Sequence, residues 1–136
     1  MAQRQYLPVV AGIIDPPLFA YIAWLLFDDP VFGAAVGVAI GVSTYMLLAY
    51  LYARELIEDG KTPDGLLEPP RGYHRGAAAL ALVPVGIVPF AWRFAEEDPT
   101  VGIVAGLLAG VLVYVVSARV VPREDETIET QDEIEA

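Results

Sequence analysis

The chain has 136 residues, of which 56% are hydrophobic, with 18 acidic residues against 8 basic ones, one histidine and no cysteine. That length gives room for one domain, and the missing cysteine excludes disulfides, thiolate metal sites and a cysteine nucleophile. The net charge of −10 does not describe a uniformly acidic surface, because seven of the eighteen acids lie in the tail from Glu124 to Glu135.

Four apolar runs follow one another along the chain: Tyr6 to Phe27, Val31 to Ala53, Gly76 to Ala95, and Thr100 to Val121. Each comes to about 20 residues or more, which at a rise of about 1.5 Å per residue crosses a hydrocarbon layer of about 30 Å. A surface helix of a soluble protein would carry a polar face, and these runs do not. The first run follows Arg4 and has the look of a leader. Its length, its interruption by Asp15-Pro16-Pro17 and its partner later in the chain argue for a retained helix.

That partner belongs to an internal repeat. Asp29-Pro30 with Gly33, Gly37 and Gly41 recurs as Asp98-Pro99 with Gly102, Gly106 and Gly110. From Asp29 to Glu55, at an offset of 69, ten of 27 positions are identical, through Tyr45/Tyr114 and Arg54-Glu55/Arg123-Glu124. Chance in such a composition would give roughly three. With one residue removed the match runs backwards to Trp24/Trp92 and Pro16/Pro84. The expected fold is therefore all-α: an integral membrane four-helix bundle made of two tandem helical hairpins. Residues 1–54 form the first hairpin, 55–75 a polar loop with turn-forming prolines and glycines, 76–122 the second hairpin, and 123–136 an acidic tail expected to be disordered.

The links between helices one and two and between three and four are short and acidic, whereas seven of the eight basic residues lie at the other end. The positive-inside rule puts both termini and the middle loop in the cytoplasm, with the protein in the cell membrane. Two hairpins of the same polarity are related by an axis along the membrane normal. Asp29 and Asp98, each before a proline, are expected to cap helices two and four.

The glycine ladders place Gly33, Gly37 and Gly41, and Gly102, Gly106 and Gly110, each on one helix face where another backbone can come close. The expectation is that helices two and four cross along them, or that one ladder meets a second subunit. Asp15 is the sharpest polar candidate. It lies roughly 13 Å into the first run, where a carboxylate costs several kcal/mol unless protonated, paired or hydrated. Ser43, Thr44 and Tyr45 on helix two, and Tyr114 on helix four, stand at a depth from which their hydroxyls could bond it. Two readings stay open: an ion or proton site, or a pin between helices; a third leaves Asp15 wet in the interface. Pro84 and Pro89, with Gly86 between them, predict a bent or broken third helix. Arg93 is expected in an interfacial salt bridge with Glu96, Glu97 or Asp28, and His74 at the surface.

No phosphate-cradling loop, H-E-x-x-H or G-x-S-x-G motif is present, so no enzyme, cofactor or metal site is expected. Partners are the lipid bilayer, a second copy or a membrane complex, and not nucleic acid. Lysine-poor, acid-rich, cysteine-free composition resembles that of small multipass membrane proteins of halophilic archaea with no assigned role; carboxylates keep such surfaces solvated in concentrated salt. The resemblance is one of composition and size and carries over no site residue. The functional expectation is a structural or accessory membrane subunit, with a small transporter or proton channel using Asp15 as the alternative.

Overall fold

Residues 5–124 are described by a computed structural model. Helix α1 spans Leu7–Phe27, α2 Pro30–Glu58, α3 Arg75–Trp92 and α4 Thr100–Val120, with one turn of 3-10 helix at Gly65–Leu67. All four are long and apolar enough to cross a bilayer. The result is an all-α bundle of four membrane-length helices. The expectation of a disordered tail bears mostly on residues 125–136, which lie outside the described residues.

Helix α2 is the centre. It packs on α1 on one side and on α3 on the other, and α4 packs on α3. Helices α1 and α4 are accordingly the least buried, with Leu25, Leu108, Val111 and Leu112 each mostly exposed. In water such surfaces would be untenable; in lipid they are the outer face.

The glycine ladders do not bring α2 and α4 together. Gly33 meets the Phe19 carbonyl and Ala23 of α1, Gly37 meets Pro16, and Gly41 meets the Gly12 carbonyl. On the other side Gly102 faces Trp92, Gly106 faces Pro84 and Pro89, and Gly110 faces Val85 and Ala81 of α3. Each ladder therefore seats the helix that precedes it in the chain. The physical reason is the shortness of the links: chain neighbours joined by a few residues must lie side by side, and the small faces allow the closest approach there. Further along the seam Gly12 and Gly41 each lack the Cβ that would strike the other's carbonyl. Pro16 has removed the N–H that would have bonded the Gly12 carbonyl, and that oxygen turns instead to the Gly41 backbone.

Prolines 16, 17, 84 and 89 all lie inside helices that remain continuous, so α3 is not broken. The two hairpin turns are built differently. Asp28 adopts a left-handed backbone (φ 55) at the end of α1, a conformation an aspartate tolerates better than most residues. Asp29 then caps α2 by accepting from Phe32 N–H at 3.1 Å. At α4 the expected equivalence fails by one position. Pro99 is the capping residue, and Asp98 instead accepts from the Thr100 hydroxyl (2.6 Å) and N–H (3.0 Å).

At this acidic end Phe27 meets Phe90 and Phe94 edge to face, and Phe19 meets Phe90, so α1 touches α3 through aromatic rings across the face of α2. Arg93 stands 5.2 Å from the Phe27 ring centroid. Among the described residues this cation–π contact replaces the expected salt bridge, because a weakly hydrated guanidinium can lie on an aromatic face without leaving the interface.

Candidate functional site

Two polar centres interrupt the apolar packing. The first is at mid-membrane. Asp15 is half-buried beside the α1–α2 seam, and the Thr44 hydroxyl lies 2.9 Å from Asp15 Oδ2 and 2.9 Å from the Ile40 carbonyl. A threonine hydroxyl has one proton, so the two acceptors share it. Ser43, one residue away and about 100° round the helix, faces α3 and donates to the Ala79 carbonyl at 2.6 Å. Tyr45 lines a groove on the outer side of the hairpin with Val9, Gly12, Ile13, Pro16, Val38, Gly41 and Val42. The groove holds about 310 Å³ and is apolar. Asp15 is not among its walls. The structure therefore joins Asp15 to Thr44 and leaves Ser43 and Tyr45 to other neighbours.

Tyr114 is not in this centre at all. Helix α4 packs on α3, and the Tyr114 oxygen accepts from the His74 N–H at 3.2 Å. It belongs to the second centre, which the sequence did not reveal.

That centre lies at the loop end. Tyr50 is about 30 Å along α2 from Pro30, hence at the far edge of the hydrocarbon layer. Here α3 begins, and the chain after α4 folds back over its first turn. Arg75 is 5% exposed and Glu124 3%. Arg75 Nε and Nη2 both stand 3.0 Å from Glu124 Oε1. Arg75 Nη2 also donates to the Leu67 carbonyl at 3.0 Å and the Ala49 carbonyl at 3.3 Å, and Nη1 reaches the Glu68 carbonyl at 3.4 Å. One guanidinium thus joins α2, the middle loop, α3 and the chain end. A buried charge tolerates such a place only when its donors are satisfied, and here they are.

His74 sits beside it, 2% exposed, so it is not the surface residue expected from sequence. It caps α3: Nδ1 accepts from Ala77 N–H at 3.1 Å, while Nε2 is 2.7 Å from the Val121 carbonyl. The Tyr50 hydroxyl donates to the Pro122 carbonyl at 2.7 Å, and its ring lies against the His74 ring. Between Tyr50, Tyr73, His74, Arg75, Arg123 and Glu124 remains a cleft of about 10 Å³, enough for about one water molecule. Arg123 and Glu124 were expected to open a disordered tail; Glu124 is instead among the most buried charges described.

Two signals in the chain pointed this way. The repeat register runs unbroken through Arg123-Glu124, which argues that order extends that far. His74 also stands immediately before a small-residue helix start, in the place of a cap.

At the loop-end centre both ring nitrogens of His74 are engaged, and the guanidinium and carboxylate neutralise each other. Comparison with protein-family models, with curated proteins and with solved structures finds no match. The geometry therefore carries the functional reading.

Proposed function

We propose that this multi-span membrane protein is a structural or accessory subunit, made of two tandem hairpins of one polarity, that works by association and not by catalysis. The observation that carries the reading is the use of the polar side chains within the spans. Asp15 and Thr44 bond each other beside a helix seam, and Ser43 bonds a backbone carbonyl of the neighbouring helix. Polar groups placed so act as interhelical pins. The broad apolar faces of α1 and α4 suit contact with lipid and with a second copy or another membrane subunit.

The tandem arrangement is supported by equivalent contacts in the two halves. Gly37 meets Pro16, and their counterparts Gly106 and Pro84 meet likewise. The clustering of arginines at the loop end supports cytoplasmic termini and a cytoplasmic middle loop.

A second reading, a small transporter or proton channel, is favoured by Asp15 alone, a carboxyl at mid-membrane beside two helix prolines. Purified protein in liposomes, given a pH gradient and a voltage, separates the two. An accessory subunit should give proton and cation flux equal to that of empty vesicles, for wild type and Asp15→Asn alike. Flux in wild type that disappears in Asp15→Asn would replace it with the channel.

A further inference from the structure

His74 ties the start of α3 to the chain end through two ring nitrogens with opposite roles. Nδ1 accepts from the Ala77 N–H, and Nε2 faces the Val121 carbonyl, an atom that can only accept. A single species makes both bonds at once: the neutral ring with its proton on Nε2. A second proton would arrive on Nδ1, where the Ala77 N–H already points its hydrogen. Two donors would then face each other at a residue that is 2% exposed. The ring is rigid, so any turn that takes Nδ1 from Ala77 also takes Nε2 from Val121.

The surrounding charges add to this conflict. Arg75 follows in the chain, and Arg123 and Glu124 from the chain end line the same cleft, with the Tyr73 side chain from the loop. From α2 comes the Tyr50 ring, with the Arg54 guanidinium 5.8 Å from its centroid, and from α4 the Tyr114 hydroxyl. Arg75 is paired with Glu124 and Arg54 with Glu58 at 3.6 Å, and Arg123 adds a further positive charge to the cleft.

We infer that the loop-end cluster is an acid-sensitive latch, in which neutral His74 holds the segment Val121–Glu124 against the start of α3 and protonated His74 releases it. Proton counting sets the direction. The closed latch has no place for the second proton and the released ring does, so lowering the pH favours release. Opening would change how the acidic sequence after Glu124 is attached to the membrane domain. The latch would work alike in an accessory subunit and in a channel.

Trypsin tests it on the full chain in nanodiscs. Burial of Glu124 shields the Arg123–Glu124 bond, while the exposed Arg71–Gly72 bond in the loop serves as internal reference at each pH. The ratio of the two cuts should rise roughly fivefold between about pH 7.5 and about pH 5.5, the effect of losing one helix cap. His74→Asn keeps an oxygen able to cap Ala77 and cannot titrate, so its ratio should stay flat to within about twofold. A flat wild-type ratio overturns the latch. So does an equal rise in His74→Asn, which would assign the effect to Glu124. Because the chain has one histidine, imidazole nitrogen NMR follows the same event without a variant. Ring protonation should coincide with loss of the Ala77 cap signal and with the rise in cleavage, and protonation that leaves both unchanged overturns the inference.

Discussion

Beside the α1–α2 seam one carboxyl and one hydroxyl meet, half-buried, within a single hairpin. At the loop end a guanidinium, a carboxylate, an imidazole and a phenol interlock with backbone groups from α2, the loop, α3 and the chain end. Lipid explains the difference. At mid-membrane every polar group needs a partner from a neighbouring helix, so few are tolerated and each pair is isolated. At the edge of the hydrocarbon layer, backbone carbonyls left free by helix ends and loops are plentiful. A single arginine can gather them, and connectivity replaces pairwise bonding. The first centre is therefore a removable pin and the second a joint whose parts depend on one another.

The largest effect should come from breaking the joint. Glu124→Ala leaves the Arg75 guanidinium buried with a partner missing and should destabilise the fold by about 3 kcal/mol, the usual cost of orphaning one member of a buried pair. Reversible unfolding in mixed micelles reads this, and a loss below about 1 kcal/mol would erase the contrast with mid-membrane. Next comes the seam itself. Gly37→Leu forces a side chain into the Pro16 backbone and should cost about 2 kcal/mol while separating α1 from α2. Ala35→Leu, on the exposed face of the same helix, adds a comparable side chain away from the seam and supplies the control.

A smaller change is expected at the pin. Thr44→Val removes the hydroxyl bonded to Asp15 and should cost about 0.6 kcal/mol, the average for interhelical hydrogen bonds in membranes. A cost as large as that of Glu124→Ala would mean that the mid-membrane pair is also a joint. The smallest effect concerns a carboxylate in water. Asp98 is held below the usual carboxylate range, first by the Thr100 hydroxyl and then by the Thr100 N–H. Its hydrogen-bonded charge therefore contributes above the ordinary value near ~3.9 and is lost as pH falls through the lowered one. Thr100→Ala should return Asp98 toward the ordinary range, followed by carboxyl carbon NMR.

The helices were legible because lipid imposes a length and an apolarity that few other environments demand. The starts of α2 and α4 were legible to within a residue from Asp-Pro pairs. The partner of each glycine ladder was not, since a small face says that something approaches and not which helix it is. Pairing Asp15 with Thr44 follows from depth and hydroxyl chemistry, but the Tyr114 hydroxyl, expected at the same depth, lies at the loop end against His74. The loop-end joint left only two traces in the sequence, the repeat register through Arg123-Glu124 and His74 in the place of a cap. Its groups are scattered from Ala49 to Glu124 in the chain, and its bonds run largely to backbone carbonyls, which carry no signature in side-chain identity. An arginine near an apolar run reads as a membrane-edge charge, and only the fold-back after α4 turns Arg75 and Glu124 into a buried pair.

Pin and joint alike presuppose four crossings that put the middle loop and the α3–α4 link on opposite faces of a bilayer. Because the chain has no cysteine, Thr62→Cys and Glu97→Cys each give a single site for a membrane-impermeant maleimide on sealed vesicles. Labelling of one before detergent and of the other only after it is the predicted result. Equal labelling of both before detergent would contradict the four-span arrangement.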